Sequence, residues 1–566
     1  PADVRALFQS PTLKDFAAAA RREHRRPSAP PNRISADATR ITPEMLPLVE
    51  LTQPEIDAIV ARVPGGAANV QDIYPLTAMQ EGILFHHLLS RVGDGYLMPV
   101  LLGFKARAEL EAFVATVQQV IDRHDILRTA IVWDASKVPV QVVTRRAELS
   151  VEAAPCTAGD RDIAEQLKVL YGPGNYRIDL GSAPLLRGFM AEDPTNDRWL
   201  LLIVAHHLVA DHTTFELLVR EAQLIHRGKT ELLPPPIPYR NFVAEARWGV
   251  SGEEHEEFFR KLLGDVEEPT AAFGLLDVQG DGRRIGEARR GLSEALSRGV
   301  RSAARRLGVS AASVLHAAWG LALGRTSGRS DVVFGTVLFG RMQGGAGADR
   351  VFGMFINTLP VRMQVDERGA EQSVRAMHEL LSELLRHEHA PLTLAQGASG
   401  IRGQTPLFSA LFNYRYSSAA GEAAPEASEV ELLWTEERTN YPLTLSVDDV
   451  GEGFVLTAQV SEPLDAERIC AYLETALTQL VEALEQEPER AIRELEVLPA
   501  SERERVLRGW NATTVEYGEE RCLQELFEAQ VERTPDAVAV ELGEERVSYR
   551  ELNAGANRVA RHLRGL

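Results

Sequence analysis

Cysteine is scarce in this sequence, with three residues among 566. Cys156, Cys470 and Cys522 stand far apart and are odd in number, which argues against a disulfide framework and against a cysteine metal site. So low a cysteine content is typical of proteins from a reducing compartment. Because residues near Pro1 show no pattern of a signal peptide, we expect a cytoplasmic protein.

Long hydrophobic runs and an excess of positive charge are also lacking. No run approaches the ~20 apolar residues that a membrane span needs, and no Walker-type or Rossmann glycine-rich loop occurs. Aspartate and glutamate number 81 against 61 lysines and arginines, which gives a net charge of −20. A surface of this sign does not suit nucleic acid. We therefore expect neither a membrane nor a nucleic acid as a partner.

A buried strand runs directly into a cluster of histidines. The seven apolar residues 199–205 form a continuous run of the length expected for a buried strand. Four polar residues suited to chemistry follow within seven positions: His206, His207, Asp211 and His212. Thr213 and Thr214 then open an amphipathic segment, and Glu216 stands three residues after Thr213, which predicts a capping box. The histidines therefore lie where a strand meets a helix, a rigid position for acting on a substrate.

Three interpretations of these histidines are open from the residues alone. They can be polar groups that are satisfied by hydrogen bonds at a strand end. A metal site is disfavoured because adjacent strand residues point to opposite faces, so His206 and His207 cannot readily share an ion. In the third interpretation one imidazole supports the strand end while the other faces a cleft and transfers a proton near neutral pH, with Asp211 orienting the turn.

Residues 206–211, HHLVAD, resemble the HHxxxD motif of the condensation domains of nonribosomal peptide synthetases, which are similar in fold to chloramphenicol acetyltransferase. The motif usually continues with glycine, where this sequence has His212. IPYRNF at 237–242 resembles the YxDF motif of the family, with Asn241 in place of the usual aspartate. Other family motifs follow in the expected order: RHDILRT at 123–129, VFGMFINTLPVR at 351–362, PLFSALFNYRY at 406–416 and NYPLTLS at 440–446.

A second histidine pair lies upstream, in DIYPLTAMQEGILFHHLLSRVGDGY at residues 72–96. Thr77 predicts the start of a helix, on which His86 and His87 occupy neighbouring faces. The stretch is similar to the first core motif of condensation domains. His86 and His87, then Leu, four residues, Gly and Asp94 match every position of the HH[I/L]xxxxGD signature of the dual epimerisation/condensation subgroup.

The resemblance covers about residues 45–490 and implies a two-lobed, V-shaped, chloramphenicol-acetyltransferase-like α/β fold in which each lobe is an α/β sandwich. Because the chain starts at a residue other than methionine and stops within a predicted helix, we expect it to be a piece of a larger polypeptide. The predicted organisation in chain order is the C-terminal end of a peptidyl carrier protein at 1–22, a linker at 23–44, the first lobe at 45–250, the second lobe at 251–492, a linker at 493–510 and the opening of an adenylation domain at 511–566.

The resemblance also implies the reaction, in which the amine of an acceptor attacks the thioester of a donor. Both substrates arrive on the phosphopantetheine of peptidyl carrier proteins, upstream for the donor and downstream for the acceptor, next to an adenylation domain. We expect no intrinsically bound cofactor and no metal. His207 accepts a proton or holds the amine in line, His206 is structural and Asp211 fixes the loop. If the domain also converts the donor residue from the L to the D form, His86 or His87 is the second base beside His207.

Other residues are expected to support this site. A buried Asp211 needs a cationic partner, and either Arg128 or Arg341 can supply it. Gly353 permits an unusual turn, and Asn357 binds the pantetheine arm or a neighbouring loop. The residues predicted to support the loop or the donor channel are Arg128, Arg341, His212, Asp94 and Tyr441.

Alternatives from other functional classes remain open at this stage. A simple condensation domain would accept a donor that is already in the D form. A stand-alone epimerase, a non-catalytic recruitment domain of the same fold and a free-standing acyltransferase that uses coenzyme A are the others. We expect His387 and His389 to be exposed residues at a helix end.

Overall fold

The computed structural model describes residues 29–90, 92–157, 159, 162–276, 278, 285–341, 350–403, 405–416, 430–436, 439–516 and 521–566. The predicted carrier-protein end at 1–22 lies outside the described residues, as do residues 23–28 of the predicted linker. The chain divides into two compact units, the first ending at Pro499 and the second spanning Ala500–Leu566.

Among the residues that the structure describes, the first half of the chain supplies seven strands and six helices to the first unit. The strands are β1 (Val70–Pro75), β2 (Leu97–Phe104), β3 (Thr129–Val132), β4 (Val140–Thr144), β5 (Val151–Ala153), β6 (Leu186–Asp193) and β7 (Arg198–His206). The helices are α1 (Gln53–Val60), α2 (Ala78–Leu89), α3 (Arg107–Arg123), α4 (Ile163–Tyr171), α5 (His212–His226) and α6 (Arg240–Trp248).

The rest of the first unit repeats this mixture of strands and helices. The strands are β8 (Ile285–Gly291), β9 (Asp331–Leu338), β10 (Asn357–Gln364), β11 (Ala410–Tyr416), β12 (Glu431–Thr435), β13 (Leu443–Asp449) and β14 (Phe454–Ser461). The helices are α7 (Gly252–Leu263), α8 (Glu294–Leu307), α9 (Ala311–Ser327), α10 (Ala370–Arg386), α11 (Leu392–Gly397) and α12 (Ala466–Gln486).

The second unit is a small α/β arrangement. A hairpin of two antiparallel strands is flanked by helices, and Ser548 caps the last helix by accepting a hydrogen bond from the amide of Glu551. The elements are α13 (Ala500–Glu504), α14 (Leu523–Arg533), β15 (Val538–Leu542), β16 (Glu545–Ser548) and α15 (Tyr549–Arg564).

Each lobe of the first unit is built on one large sheet. In the first lobe the strand order is β12-β2-β7-β6-β5, and β1, β4 and β3 form a separate three-stranded sheet. In the second lobe the order is β10-β9-β11-β13-β14-β8. The central strand β7 is buried along residues 200–206, as its continuous apolar run predicts for a strand covered on both faces. Each sheet has its own hydrophobic core against the helices.

Helix α9 shows why the second lobe packs as it does. Its alanine-rich sequence is buried on every side from Ser313 to Gly324, where small side chains allow neighbouring elements to approach closely. Ser310 caps this helix by accepting a hydrogen bond from the amide of Ser313.

The lobes are not divided cleanly at residues 250 and 251, because two later segments complete the first lobe. Strand β12 pairs with the edge of β2 and so covers backbone groups that an edge strand would leave open. Val351, Phe352, Met354 and Phe355 belong to the hydrophobic core of the first lobe. After residue 250 the chain therefore returns twice from the second lobe to the first.

Among the helices that the structure describes, no single one is long and apolar enough to cross a membrane. Helices α8 and α9 are long and apolar enough only when they are taken together, and the chain bends by 111° between them.

Candidate active site

Strands β7 and β2 place the two histidines of the HHLVAD segment on opposite sides. The antiparallel register sets Leu97 opposite His206, and the amide of His207 donates a hydrogen bond to the carbonyl of Tyr96 at 2.9 Å. The alternation of side chains along a strand then directs His206 into the interior, where it is fully buried. His207 lies on the other side and is partly exposed.

His206 is held by a carboxylate that is distant in the sequence. Its Nε2 lies 3.0 Å from Oδ2 of Asp94, and its Nδ1 accepts a hydrogen bond from the amide of Leu208 at 3.1 Å. Because Nδ1 accepts, the proton of the neutral ring is on Nε2 and is donated to Asp94. His206 therefore has both nitrogens bound and serves as a structural group.

His87 binds the same carboxylate from helix α2. Its Nδ1 lies 2.6 Å from Oδ2 of Asp94, and its Nε2 lies 3.0 Å from Nη2 of Arg177. A guanidinium only donates hydrogen bonds, so Nε2 accepts and Nδ1 carries the proton that is given to Asp94. Both nitrogens of His87 are thus committed to this network, which does not suit a base that must exchange protons with a substrate.

Arg177 also fixes the loop that carries Asp94. It donates to the carbonyl oxygens of His87 at 2.8 Å and of Gly93 at 3.1 Å. Gly93 has a φ of +71°, and a Cβ there would lie 2.5 Å from the carbonyl oxygen of Pro173. The glycine and aspartate of the HHLLSRVGD segment therefore have clear structural roles. Sequence reasoning missed Arg177 because no local pattern links it to a loop more than 80 residues upstream.

The network is an anion held between neutral rings. Burial opposes ionisation of Asp94, but the hydrogen bonds donated by His206 and His87 outweigh it and lower the pKa of the carboxyl below its ordinary value. Burial likewise lowers the pKa of His206, although Asp94 acts in the opposite direction. At neutral pH the carboxylate is therefore charged and His206 is neutral.

These three side chains also have the donor atoms of a metal site. One ligand atom each from His87, Asp94 and His206 lies within 4.8 Å of the others, and imidazole and carboxylate suit a divalent transition metal. An ion there would have to displace the protons on His87 Nδ1 and His206 Nε2, and both protons are donated to Asp94. The geometry fits a proton-linked network, so we assign these residues to support of the strand end.

His207 has the tautomer that a general base needs. Its Nδ1 lies 3.2 Å from the carbonyl oxygen of Ala210, which can only accept a hydrogen bond. Nδ1 therefore carries the proton and the lone pair is on Nε2. Asp211 follows directly and fixes the turn.

Asp211 caps helix α5 and corrects one expectation. Its Oδ1 accepts from the amide of Thr214 at 2.8 Å, and its Oδ2 accepts from the amide of Phe355 at 3.3 Å. The helix begins at His212, so the predicted capping box of Thr213 and Glu216 is wrong. The carboxylate takes the cap because Asp211 directly precedes the first helical residue, from which its side chain reaches the otherwise unbonded amide of Thr214.

Arg341, not Arg128, is the partner of Asp211. Nη2 of Arg341 lies 2.9 Å from Oδ1 and 3.0 Å from Oδ2 of the carboxylate, and both side chains are 2% exposed. Arg128 instead donates to Oε1 of Gln71 at 2.9 Å and to backbone carbonyl oxygens, among them that of Ile121 at 3.2 Å. Of the two predicted partners of Asp211, Arg128 is therefore wrong and Arg341 is confirmed.

His86 faces a different environment from His87. It is partly buried, and its ring centroid lies 5.9 Å from that of Tyr96. The ring of Tyr96 lies 6.5 Å from that of His207. Burial lowers the pKa of His86 below its ordinary value. The structure thus gathers His86 and His207, rather than His87 and His207, around one phenol ring.

Two further residues were predicted to support the site, His212 and Tyr441. His212 is 58% exposed, and its Nε2 is 3.5 Å from Oε1 of Glu216, one turn along helix α5. Tyr441 stacks on Phe408 at 5.7 Å, and burial raises its pKa to about 12. Tyr441 therefore keeps its phenol proton at neutral pH.

Gly353 and Asn357 are tied to neighbouring backbone. At Gly353 φ is +141°, and a Cβ would lie 2.3 Å from the ring of Tyr239, whose hydroxyl donates to the carbonyl of Met354 at 2.5 Å. Both amide hydrogens of Asn357 are donated, to the carbonyl oxygens of Glu388 at 2.7 Å and of Ala390 at 2.8 Å. Of the two expectations for Asn357, the structure therefore has the bond to a neighbouring loop.

Asn357 also lines a cavity of about 250 Å³ between the lobes, together with residues that include Thr77, Met79, Phe242, His255 and His389. His387 is nearby but is buried, so the expected exposed position at a helix end is wrong. Helix α7 packs over it, which places His387 Nδ1 2.9 Å from His255 Nδ1 and stacks its ring on Phe258.

Residues 70–507 match a family model described as a condensation domain. Over 560 residues, 99% of its length, the chain is 47% identical to malpinin synthetase of Mortierella alpina and covers 7% of that protein. A solved four-domain nonribosomal peptide synthetase bound to AMP and glycine matches with a TM-score of 0.68 and 18% identity, over 88% of this chain and 39% of that one. The first condensation domain of the calcium-dependent antibiotic synthetase matches with a TM-score of 0.56 and 17% identity, over 75% and 99%. At such identities the two structures show the shared mixed α/β fold alone, which confirms the predicted fold class.

Proposed function

Because the chain belongs to the condensation-domain family, we propose that it forms peptide bonds in nonribosomal peptide synthesis. The donor is a peptidyl thioester and the acceptor an aminoacyl thioester, each held on the phosphopantetheine of a peptidyl carrier protein. The upstream carrier, the downstream carrier and an adjacent adenylation domain are its partners. These partners are proposed, because the chain spans only a small part of the synthetases that it matches.

The tautomer of His207 is the observation that carries this proposal. Its Nδ1 proton is donated to the carbonyl of Ala210, which leaves the lone pair of Nε2 directed away from that bond. In the reaction the acceptor nitrogen bonds to the thioester carbon, and Nε2 takes a proton from the nitrogen. The carbon–sulfur bond then breaks, and the thiolate leaves with that proton. Holding the amine in line can by itself lower the barrier by about 7–11 kcal/mol.

The Asp211–Arg341 pair supports this base without touching substrate. Asp211 caps helix α5 and directly follows Ala210, whose carbonyl sets the tautomer of His207. Arg341 holds both oxygens of the carboxylate from the second lobe. Loss of either side chain would therefore let the turn rotate and would release the tautomer.

We also propose that the domain epimerises the donor residue before condensation. The HHLLSRVGD segment supports this, since it matches the signature of the dual subgroup at every position. Of the two histidines in the segment, His86 is the better second base, because His87 gives both nitrogens to Asp94 and Arg177. His86 and His207 both contact the ring of Tyr96, and we propose that the donor α-carbon lies against that ring within reach of both imidazoles.

The two-base reaction balances without a cofactor. Neutral His207 removes the α-proton of the L-configured residue, and the electron pair passes to the thioester oxygen. Protonated His86 returns a proton to the opposite face and restores the thioester in the D form. Proton exchange with solvent then restores neutral His207 and protonated His86. Hydrogen from the solvent should therefore enter the α-position of the donor residue.

An L-configured peptidyl donor on its carrier protein, incubated with this protein in deuterated water, tests both activities. The donor is recovered with and without the acceptor. Deuterium at the α-carbon together with D-configured product supports epimerisation followed by condensation. Peptide formation from a D-configured donor only, without exchange, identifies a simple condensation domain. No peptide from either donor would favour a non-catalytic domain of the same fold.

A further inference from the structure

The phenol of Tyr96 contacts both of the groups that are proposed to move protons. Its ring lies edge-on to His207, with centroids 6.5 Å apart at 83°, and 5.9 Å from the ring of His86. Its carbonyl accepts the amide hydrogen of His207 at 2.9 Å. The backbone and the ring therefore both fix Tyr96 relative to His207.

The hydroxyl of Tyr96 reaches the second lobe. Its oxygen lies 3.4 Å from Oδ1 of Asn440, while Nδ2 of Asn440 donates to the carbonyl of Val278 at 2.7 Å. This second bond sets the orientation of the amide, so Oδ1 faces the phenol and Tyr96 is the donor. A contact of 3.4 Å is a weak hydrogen bond, so a stronger acceptor near the hydroxyl would accept this hydrogen bond in place of Asn440.

Tyr96 keeps its proton at working pH. Burial raises the pKa of the phenol above its ordinary value, and the neighbouring Tyr441 and Asp94 act in the same direction. A neutral phenol in a poorly hydrated site is a strong hydrogen-bond donor to an oxygen that gains negative charge.

We propose that Tyr96 is a further catalytic residue, whose hydroxyl donates a hydrogen bond to the carbonyl oxygen of the donor thioester as that oxygen becomes negative. This inference rests on the proposed function. A donor α-carbon within reach of His86 and His207 has its carbonyl carbon one bond away, beside the phenol that both rings contact.

The same hydroxyl serves both reactions, because both place charge on the same oxygen. In condensation the new carbon–nitrogen bond moves the carbonyl π pair onto oxygen, and the pair returns when the carbon–sulfur bond breaks. In epimerisation the pair of the broken carbon–hydrogen bond passes to that oxygen and returns when the carbon is protonated. Tyr96 gives up no proton in either reaction and stabilises the charge in both.

Tyr96→Phe removes the hydroxyl alone, since the ring and the backbone bond to His207 stay. We expect kcat for peptide formation from a D-configured donor to fall about 10²- to 10³-fold, the usual effect of losing one oxyanion donor. The KM for the carrier-bound donor should change little. Deuterium exchange into an L-configured donor should fall in parallel. Circular dichroism and the Tm verify that the variant is folded.

Asn440→Leu is the matched control, because it removes the partner of the hydroxyl in the second lobe and leaves Tyr96 intact. We expect a much smaller loss of kcat than in Tyr96→Phe. Equal losses in the two variants, or unchanged kcat in Tyr96→Phe, would overturn the proposal and leave the hydroxyl as a tie between the lobes.

The measurement also separates this inference from the proposed function. If the unaltered protein forms peptide but shows no exchange, epimerisation fails while the condensation rate still tests Tyr96. If the unaltered protein shows neither activity with matched carriers, the proposed function and the role of Tyr96 fail together.

Discussion

Nη2 of Arg341 lies 2.9 Å and 3.0 Å from the two carboxylate oxygens of Asp211, across the boundary between the lobes. Asp211 caps the helix that follows β7, whereas Arg341 follows β9 in the second lobe. Because both side chains are buried, neither charge has bulk water as an alternative partner. The position of His207 therefore depends on both lobes.

Arg341→Ala should abolish most peptide formation and lower the free energy of unfolding by about 3–5 kcal/mol, because it leaves a buried carboxylate without its cation. Urea unfolding and single-turnover peptide formation measure the two effects. Arg128→Ala is the control, since Arg128 is also buried but bonds to Gln71 and backbone carbonyls. The folded control should keep its turnover, and a loss of turnover equal to that of Arg341→Ala would contradict the assignment.

His207→Ala should reduce peptide formation by about 10²–10⁴-fold, the usual contribution of a general base. Its Tm should stay close to that of the unaltered protein, because the side chain is partly exposed. His206→Ala should instead lower the stability, by about 2–3 kcal/mol, since it removes a hydrogen bond from the buried Asp94. Near-normal turnover in folded His207→Ala would refute the role of this residue.

His86→Gln should separate the two activities. We expect D-configured product from an L-configured donor to disappear, while peptide formation from a D-configured donor continues, because only inversion needs the second base. His87→Gln is the neighbouring control and should mainly lower the Tm, since His87 is bound to Asp94 and Arg177. Chiral analysis of the product decides the matter, and the opposite pattern would assign the second base to His87.

Asp94→Asn should lower the stability by about 2–3 kcal/mol at neutral pH, because charged hydrogen bonds to two imidazoles are replaced by weaker ones. The folded pKa of Asp94 lies below its unfolded value of 3.8. The contribution of the carboxylate is therefore present above that value and is lost as the pH falls through the folded pKa. Urea unfolding of both proteins across this range should show a constant difference above the unfolded pKa and a shrinking one below it.

Inversion should have a more acidic pH range than condensation. Burial lowers the pKa of His86 below its ordinary value of 6.5, so the protonated ring that returns a proton becomes scarce above that pH. Raising the pH from about 6 to about 8 should therefore decrease inversion of an L-configured donor, while peptide formation from a D-configured donor does not decrease. Product chirality measured across this range tests the prediction, and parallel profiles would count against His86.

Local patterns predicted the elements well. The continuous apolar run of residues 199–205 corresponds to strand β7, and Thr77 begins helix α2 with the expected cap. The capping box at Thr213 was wrong because Asp211 is also a good cap, and its binding to Arg341 decides between them. The predicted exposure of His387 was wrong because helix α7, which is distant in sequence, packs over the helix end.

The sequence by itself determined that two histidine pairs lie at element ends, that the order of motifs is that of condensation domains, and that residues along β7 alternate between faces. These properties depend on spacing within a few residues, which period and propensity encode. Only the tertiary structure decided that Arg341 rather than Arg128 meets Asp211, and that Asp94 and Arg177 engage His87 and leave His86 beside Tyr96. Arg341 and Asp211 are 130 residues apart, and Arg177 and His87 are 90 residues apart, so only the packing of the elements sets these contacts. The choice between His86 and His87 depends on which face of helix α2 meets Asp94, which packing also decides.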